Sequence, residues 1–412
     1  MEFKHHKLAN GLEIVAECNP RAYSFGAAFF VNTGSRDEDA PVAGVSHFLE
    51  HMMFKGTAKR SASDVNRELD EIGSRANAYT SEENTVYHAV VLPEYQDRLV
   101  ELLADMLRPS LRASDFEVEQ KVILEEISKY DDEPPFRVAE LCMAAYFGQH
   151  PMANSVLGSV ESVSGLTPDS MRGYFERRYR PGNIVLAAAG CVDFAKLVEH
   201  AEQYCGGWEA GETPRARPPV KPRVDFQALT KSTATQQYAY KITPGPSSND
   251  PDRFAADILA AVIGDDSGSR LYWELTDTGR VDFAVMGADQ YDGAGAIISY
   301  ICCEPALMAE NLQRMVDVQR EVERENITAK ELAQAQNKIC SHLVRQSERP
   351  ASRMFSIGNS WLSRREYLSV RDLVDAYRRV TLDDIARILA KYPLTQGTTV
   401  TIGPLEEVKA PS

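Results

Sequence analysis

Residues 45–57, VSHFLEHMMFKGT, place two histidines and a glutamate among bulky apolar residues. In a helix, His47 and His51 share one face because they lie four residues apart, and Glu50 lies beside them. Two neutral imidazoles at this spacing can supply two of the three protein ligands of a catalytic zinc ion. A charged group among phenylalanine, leucine and methionine is costly unless it binds something. The segment therefore predicts part of a metal site, and a third ligand must come from elsewhere.

Residues 117–133, EVEQKVILEEISKYDDE, are the best source of that ligand. A helix here has an apolar stripe formed by Val118, Val122, Ile123 and Ile127. Glu119 and Glu126 lie two turns apart and share a face, whereas Glu125 points away from that pair. One carboxylate could bind the metal while the other supports a ligand from behind. The alternative is that the histidine pair occurs by chance and that the acidic helix is a solvated face with ion pairs along it.

Composition limits the class of protein. The chain of 412 residues is 43% hydrophobic and 25% charged, which is ordinary for a globular protein of two or three domains. No apolar run is long enough for a bilayer and the start has no signal-peptide pattern, so we expect a cytoplasmic protein without membrane association. Seven scattered cysteines without a CxxC pair indicate neither a disulfide framework nor a thiolate zinc site. A net charge of −15 argues against nucleic acid as a partner.

The chain divides near its middle, and its two halves share a sequence pattern that predicts an internal duplication. Residues 209–225 are rich in proline and charge, which predicts a linker at 213–222 between domains 1–212 and 223–412. The segments starting at Tyr23 and Thr235 share one pattern: an alternating strand, a polar loop, an apolar helix and a glycine-containing exit. The second helix has no histidine and a single carboxylate, Asp257, so any metal chemistry belongs to the first half. Helices alternating with strand-like runs predict the α+β class.

The segment HFLEHMMFKGT resembles the inverted zinc signature H-x-x-E-H of the pitrilysin family, close to its mitochondrial processing peptidase branch. Further similar segments follow in the family's order: NAYTSEENTVYHAVV, EQKVILEEI, HPMANSVLGSVESV, YRPGNIVLAAAG and GDDSGSRLYWEL. The resemblance implies two homologous α+β domains, each a mostly antiparallel sheet packed with helices. It also implies a clam-shell chamber, which a chain of this length completes by forming a dimer, and the hydrolysis of peptide bonds.

The resemblance assigns a role to each matching residue. His47, His51 and Glu126 would hold one zinc ion per chain. Glu50 would be the general base that takes a proton from water, and Glu119 would support the ligands from behind. Chemistry argued from the residue types agrees with these roles, because a carboxylate beside a zinc site can move protons while the ion polarises a carbonyl group.

Substrate contacts are the part of the family pattern that is only partly kept. Asn77, Ala78 and Tyr79 match the edge strand against which family substrates lie extended; the alternative is an ordinary strand. In the second half, many relatives carry an arginine and a tyrosine that hold substrate, but Thr276 and Phe283 occupy those positions here. Threonine offers no guanidinium group and phenylalanine has no hydroxyl.

The sequence therefore predicts a zinc-dependent endopeptidase that hydrolyses unfolded peptides inside a dimeric chamber. The lost arginine and tyrosine favour a heterodimer in which a homologous, metal-free subunit supplies them, and a homodimer with weaker hold on substrate is the other possibility. A rival hypothesis is a non-catalytic structural or assembly subunit like the core proteins of respiratory complexes. The intact zinc signature speaks against that rival.

Overall fold

A computed structural model describes all 412 residues, and the chain forms two compact units. The first unit comprises Met1–Ile127, Asn154–Ala216 and Val344–Ser369. The second unit comprises Ser128–Ala153, Arg217–Leu343 and Val370–Ser412. None of the helices combines the length and the apolar composition needed to cross a bilayer.

Eleven strands and fourteen α-helices make up the two units. The strands are β1 (Glu2–Lys7), β2 (Glu13–Cys18), β3 (Phe25–Val31), β4 (Arg75–Thr80), β5 (Thr85–Val91), β6 (Ile184–Gly190), β7 (Asp225–Thr230), β8 (Gln237–Pro244), β9 (Phe283–Tyr291), β10 (Ala294–Cys303) and β11 (Thr398–Gly403). The helices are α1 (Val45–Met53), α2 (Ala62–Glu71), α3 (Gln96–Met106), α4 (Ala113–Asp132), α5 (Pro134–Phe147), α6 (Val160–Gly165), α7 (Pro168–Arg178), α8 (Phe194–Cys205), α9 (Arg253–Gly264), α10 (Met308–Glu325), α11 (Ala329–Ser347), α12 (Pro350–Arg364), α13 (Val370–Arg379) and α14 (Leu382–Lys391). A π-helical turn, Tyr272–Thr276, precedes β9.

The first unit is built on a six-stranded sheet with the strand order β1-β2-β6-β3-β5-β4. Every neighbouring pair is antiparallel except β2 and β6, which are parallel. β3 and β6 are buried along their whole length, as their apolar sequences predict for central strands. β4 pairs only with β5, so the outer edge of its backbone has no strand partner.

Helices cover both faces of this sheet. On one face, apolar residues of α1 and α3, such as Phe48 and Leu103, join the main core. On the other face, Met354 and Ile357 of α12 pack against residues of β3 and β6. Gly358 lies at the closest approach, because a Cβ atom there would overlap the ring of Phe30.

The second unit repeats this arrangement with a five-stranded sheet in the order β7-β11-β8-β10-β9. β7 and β11 form its parallel pair, and the other pairs are antiparallel. α9 and α10 pack on one face through residues such as Leu259 and Leu312. α5 covers the other face, where Cys142 and Tyr146 lie in a second apolar cluster.

Strand order supports the predicted internal duplication. When the strands from β2 to β6 are numbered one to five along the chain, their spatial order is one, five, two, four, three. The strands from β7 to β11 follow the same order, with the parallel pair in the same place. β1 is an additional strand beside β2. A shared topology of this kind fits two copies of one ancestral α+β domain, as the sequence pattern predicts.

The compact units differ from the linear division 1–212, 213–222 and 223–412 in two segments. Ser128–Ala153, which contains α5, belongs to the second unit, and Val344–Ser369, which contains α12, belongs to the first. The chain passes from one unit to the other near Ala216, inside the predicted linker. The division into a first domain, a linker and a second domain at these positions remains a prediction.

Part of the predicted linker is firmly attached to the first unit. The guanidinium of Arg215 donates two hydrogen bonds to the carboxylate of Asp37, at 2.9 and 2.6 Å. Asp37 also forms an ion pair with Arg178 at 2.9 Å, and all three side chains are buried. A buried, paired charge network is costly to open, so this stretch is held in a defined path despite its proline-rich composition.

Candidate metal centre and catalytic residues

Helix α1 carries three of the predicted site residues and is anchored by its apolar side. Its buried apolar residues are Val45, Phe48, Leu49, Met52 and Met53. His47 is 8% exposed, while Glu50 and His51 are partly exposed. The helical repeat predicted from the sequence is therefore present, and the three polar residues lie where α1 faces α4 and β4.

A buried carboxylate holds the start of α1. Glu38 accepts hydrogen bonds from the backbone N–H groups of Gly44, at 2.6 Å, and Ser46, at 2.7 Å. Burial raises the pKa of Glu38 to about 8, and the bonds from Ser46 and Gly44 act in the opposite direction. Gly44 has φ +88°, and a Cβ atom there would lie 2.6 Å from the carbonyl oxygen of Leu157. Only glycine fits, and this fixes the direction in which α1 leaves the loop.

The structure brings the three predicted metal ligands together. Nε2 of His47 lies 3.8 Å from Oε2 of Glu126, and Nε2 of His51 lies 3.6 Å from the same oxygen. All three ligand atoms lie within 4.8 Å of one another. Ligand atoms at the usual distance from a tetrahedral zinc ion are about 3.4 Å apart. The donor set, two imidazoles and a carboxylate at nearly this spacing, therefore fits a zinc ion.

Glu119 fixes the orientation of one ligand. Its Oε1 lies 2.8 Å from Nδ1 of His51, which makes Nδ1 the protonated nitrogen and leaves the lone pair of Nε2 free for a metal. Oε2 of Glu119 forms an ion pair with Nζ of Lys55 at 2.5 Å. The carboxylate of Glu119 thus contacts both His51 and Lys55. This is the arrangement expected of a carboxylate that supports a metal ligand from behind.

Helix α4 faces the site differently from the predicted stripe. Its buried residues are Phe116, Glu119, Ile123 and Ile127. Val118 and Val122, which the sequence places in the apolar stripe, are 61% and 41% exposed. The prediction was wrong for these two residues, because the buried side of the helix contains Glu119 together with Phe116, Ile123 and Ile127. The shared face of Glu119 and Glu126 is present.

Burial shifts the pKa values of His47 and Glu50 in the directions that favour a neutral imidazole and a more basic carboxylate. Burial, with a contribution from neighbouring His51, lowers the pKa of His47 to about 3, so its imidazole is neutral and able to bind a metal near neutral pH. Burial raises the pKa of Glu50, and so does the nearby Glu126, while a hydrogen bond from Thr80 and the proximity of His51 lower it. A carboxylate with a raised pKa is a better proton acceptor than an exposed one.

The residues matched to the family's substrate strand lie on β4, at the edge of the sheet. Ala78 is buried, while Asn77 is exposed and Tyr79 is partly exposed. The ring of Tyr79 lies 6.2 Å from that of Phe355 in α12, on the face of the sheet opposite to α1. β4 thus offers free backbone groups next to Glu50, whose carboxylate accepts a hydrogen bond from Thr80 on the same strand.

The second unit has no equivalent metal centre. At the positions that correspond to His47, Glu50 and His51, helix α9 has the buried residues Leu259, Val262 and Ile263. Asp257, the single carboxylate of this helix, accepts hydrogen bonds from Tyr377 at 2.7 Å and Gln290 at 2.9 Å. Asp257 therefore serves the packing of this unit.

Thr276 and Phe283 occupy the two positions at which many family members have arginine and tyrosine. Thr276 ends the π-helical turn Tyr272–Thr276, and Phe283 begins β9. The side chain of Phe283 is 47% exposed, which is unusual for a phenylalanine, and its ring lies 6.1 Å from that of Tyr300.

Sequence reasoning missed three residues that support the site: Glu38, Lys55 and Thr80. Lys55 could have been noticed because it stands one helical turn after His51. Thr80 could have been noticed because side chains alternate along a strand, which places it on the same face as Ala78. Glu38 carries no local signal, since its partners are backbone groups six and eight residues away.

Comparison with known proteins gives the family. The family model described as Insulinase (Peptidase family M16) matches residues 13–160, and the family model described as Peptidase M16 inactive domain matches residues 165–339. An uncharacterized zinc protease of Mycobacterium tuberculosis is 34% identical over 92% of this chain and 88% of its own. The chain belongs to peptidase family M16. The first match contains the whole candidate metal centre of this M16 chain, and the second covers most of the metal-free unit.

Other M16 relatives agree. The mitochondrial-processing peptidase subunit beta of Saccharomyces cerevisiae is 31% identical over 92% of this chain and 86% of its own, which confirms the predicted resemblance to that branch. A protease of Helicobacter pylori has the same fold, with a TM-score of 0.91 and 21% identity over 98% of this chain and 99% of its own. A structure described as a peptidase M16 inactive domain, from Pseudomonas fluorescens, has a TM-score of 0.92 with 17% identity and full coverage of both chains. The predicted two-domain α+β fold is confirmed.

Proposed function

We propose that this M16 chain is a zinc-dependent endopeptidase that cleaves unfolded peptides. The observation that carries the proposal is the convergence of His47, His51 and Glu126. The carboxylate of Glu50 lies on α1, the helix that carries the two histidines. Many of its relatives are named zinc proteases, which supports zinc rather than another divalent ion.

Each residue then has a defined task. A zinc ion bound by the three ligands would make water acidic enough to lose a proton near neutral pH and would stabilise negative charge on a carbonyl oxygen. Glu50 accepts the proton from water through its carboxylate and later returns it to the nitrogen of the leaving amine. Glu119 keeps the imidazole of His51 in the ligating tautomer.

The edge strand β4 suits a peptide substrate in extended form. The N–H and C=O groups on its outer edge can pair with the backbone of a substrate strand, which requires no particular side chain. We therefore assign Asn77, Ala78 and Tyr79 to substrate binding. Recognition through the backbone also explains why the substrate must be unfolded, because a folded protein rarely offers a free strand of this length.

We further propose that the active form is a heterodimer in the cytoplasm. Thr276 and Phe283 cannot provide the guanidinium and the phenolic hydroxyl that hold substrate in many relatives, so a metal-free homologous subunit would supply them. The yeast relative is itself named as a subunit, which is consistent with an assembly. A homodimer that works without these two groups is the alternative.

The test is cleavage of quenched fluorescent peptides by the zinc-loaded chain, with and without a homologous metal-free subunit. Glu50→Gln should keep the zinc content of the wild type and lose hydrolysis. Glu117→Gln, the same change at an exposed position of α4, should keep both. Retention of wild-type cleavage by Glu50→Gln would overturn the mechanism. A chain that binds no zinc and cleaves no peptide with any partner would favour the structural-subunit hypothesis.

A further inference from the structure

Thr80 is the last residue of the edge strand β4 and lies beside α1, the helix that carries Glu50. Thr80 pairs with Thr85 of β5, which fixes its backbone within the sheet. Side chains alternate along β4, so Thr80 shares the face of Ala78, which belongs to the core beneath α1. The pairing of β4 with β5 therefore directs the hydroxyl of Thr80 toward α1.

The hydroxyl of Thr80 makes the one hydrogen bond that the carboxylate of Glu50 receives. Oγ1 of Thr80 donates to Oε2 of Glu50 at 2.7 Å. Glutamate has three rotatable side-chain bonds, and this contact removes most of the freedom of the last one. Oε1 receives no hydrogen bond and stays available to a water molecule or a substrate.

We propose that Thr80 is a positioning residue for peptide hydrolysis, whose hydroxyl aligns the carboxylate of Glu50 and links that alignment to the strand on which substrate lies. The inference rests on the proposed function. A peptide that pairs with the outer edge of β4 therefore lies along the same strand whose last residue holds the carboxylate of Glu50.

The same hydrogen bond could serve only to satisfy a partly buried carboxylate. That role predicts lower thermal stability for a variant without the hydroxyl but an unchanged kcat for the folded protein. The positioning role predicts a lower kcat, because the misaligned base fails in the transition state, and a nearly unchanged KM. It also predicts that a serine restores most of the rate.

The experiment compares Thr80→Val with Thr85→Val in the zinc-loaded protein, together with its partner subunit if cleavage requires one. The two variants carry the same isosteric change on paired residues of neighbouring strands. The hydroxyl of Thr85 donates to the carbonyl oxygen of Thr33 instead of to Glu50. Each variant is measured for kcat, KM, zinc content and melting temperature, and Thr80→Ser and Thr80→Ala are measured alongside.

Loss of a hydrogen bond to a charged group predicts a roughly 10- to 100-fold lower kcat for Thr80→Val, with KM and zinc content within about twofold of the wild type. Thr80→Ser should recover to within about threefold, Thr80→Ala should resemble Thr80→Val, and Thr85→Val should keep kcat even if it melts earlier. A wild-type kcat in Thr80→Val or Thr80→Ala, while Glu50→Gln is inactive, overturns this inference alone. Full activity of Glu50→Gln overturns the proposed mechanism as well.

Discussion

Substitution of Glu119 should weaken zinc binding, and the loss should be smaller for Glu119→Gln than for Glu119→Ala. The carboxylate of Glu119 receives the Nδ1–H of His51 at 2.8 Å and is paired with Lys55. Glu119→Gln keeps an acceptor oxygen for His51 but removes the charge. Glu119→Ala removes the acceptor altogether, so the imidazole of His51 can rotate and can change its tautomer.

The magnitude follows from the kind of bond that is lost. A hydrogen bond to a charged group contributes about 1.5–3 kcal/mol, and a bond between neutral groups contributes about 0.5–1.5 kcal/mol. Glu119→Gln should therefore cost about 1–1.5 kcal/mol of zinc binding, which is roughly a tenfold higher Kd. Glu119→Ala should approach the roughly 100-fold limit seen for partners of metal ligands.

The assay is a competition titration of the metal-free protein against a chromophoric chelator of known zinc affinity. Glu117→Gln is the matched control, because it removes one negative charge from an exposed position of the same helix, and it should bind zinc as the wild type does. Melting curves of the metal-free variants establish that each is folded. Unchanged zinc affinity in Glu119→Ala, or an equal loss in Glu117→Gln, would refute the argument that this hydrogen bond orients His51.

Three further predictions concern stability, and each is measured by the free energy of unfolding in urea. Arg60 bonds to three carboxylates of α2 and α3 and is 9% exposed, so Arg60→Leu should lose about 3–5 kcal/mol. Burial lowers the pKa of Lys241 from 10.5 to about 8, so the unfolded chain holds a proton that the folded chain lacks between these pH values. The wild type should therefore gain up to about 3 kcal/mol as pH rises through this window, and Lys241→Met should lack that gain. Gly358→Ala should lose about 1–3 kcal/mol, because the added methyl group meets the ring of Phe30.

Local spacing was enough to identify the residues that the structure brings together as a candidate metal centre. The four-residue interval between His47 and His51 places both imidazoles on one side of any helix, whatever surrounds it. The two-turn interval between Glu119 and Glu126 works in the same way. The buried side of the helix that carries these glutamates nevertheless differs from the predicted one, since Val118 and Val122 are exposed. A count of apolar residues cannot tell a buried carboxylate that has partners from a solvated one.

The sequence by itself determined the helices that carry the candidate site, the repeated pattern of strand, loop and helix in the two halves, and the residue types that can bind zinc and move a proton. These properties depend on periodicity and on chemistry within a few residues. Only the tertiary structure decided that α5 and α12 belong to the units opposite to their sequence neighbours, that Glu38 holds the start of α1, and that Thr80 bonds to Glu50. The physical reason is that such contacts depend on strand register and on the packing of distant segments, which are set by the whole core and leave no spacing in the chain from which they can be read.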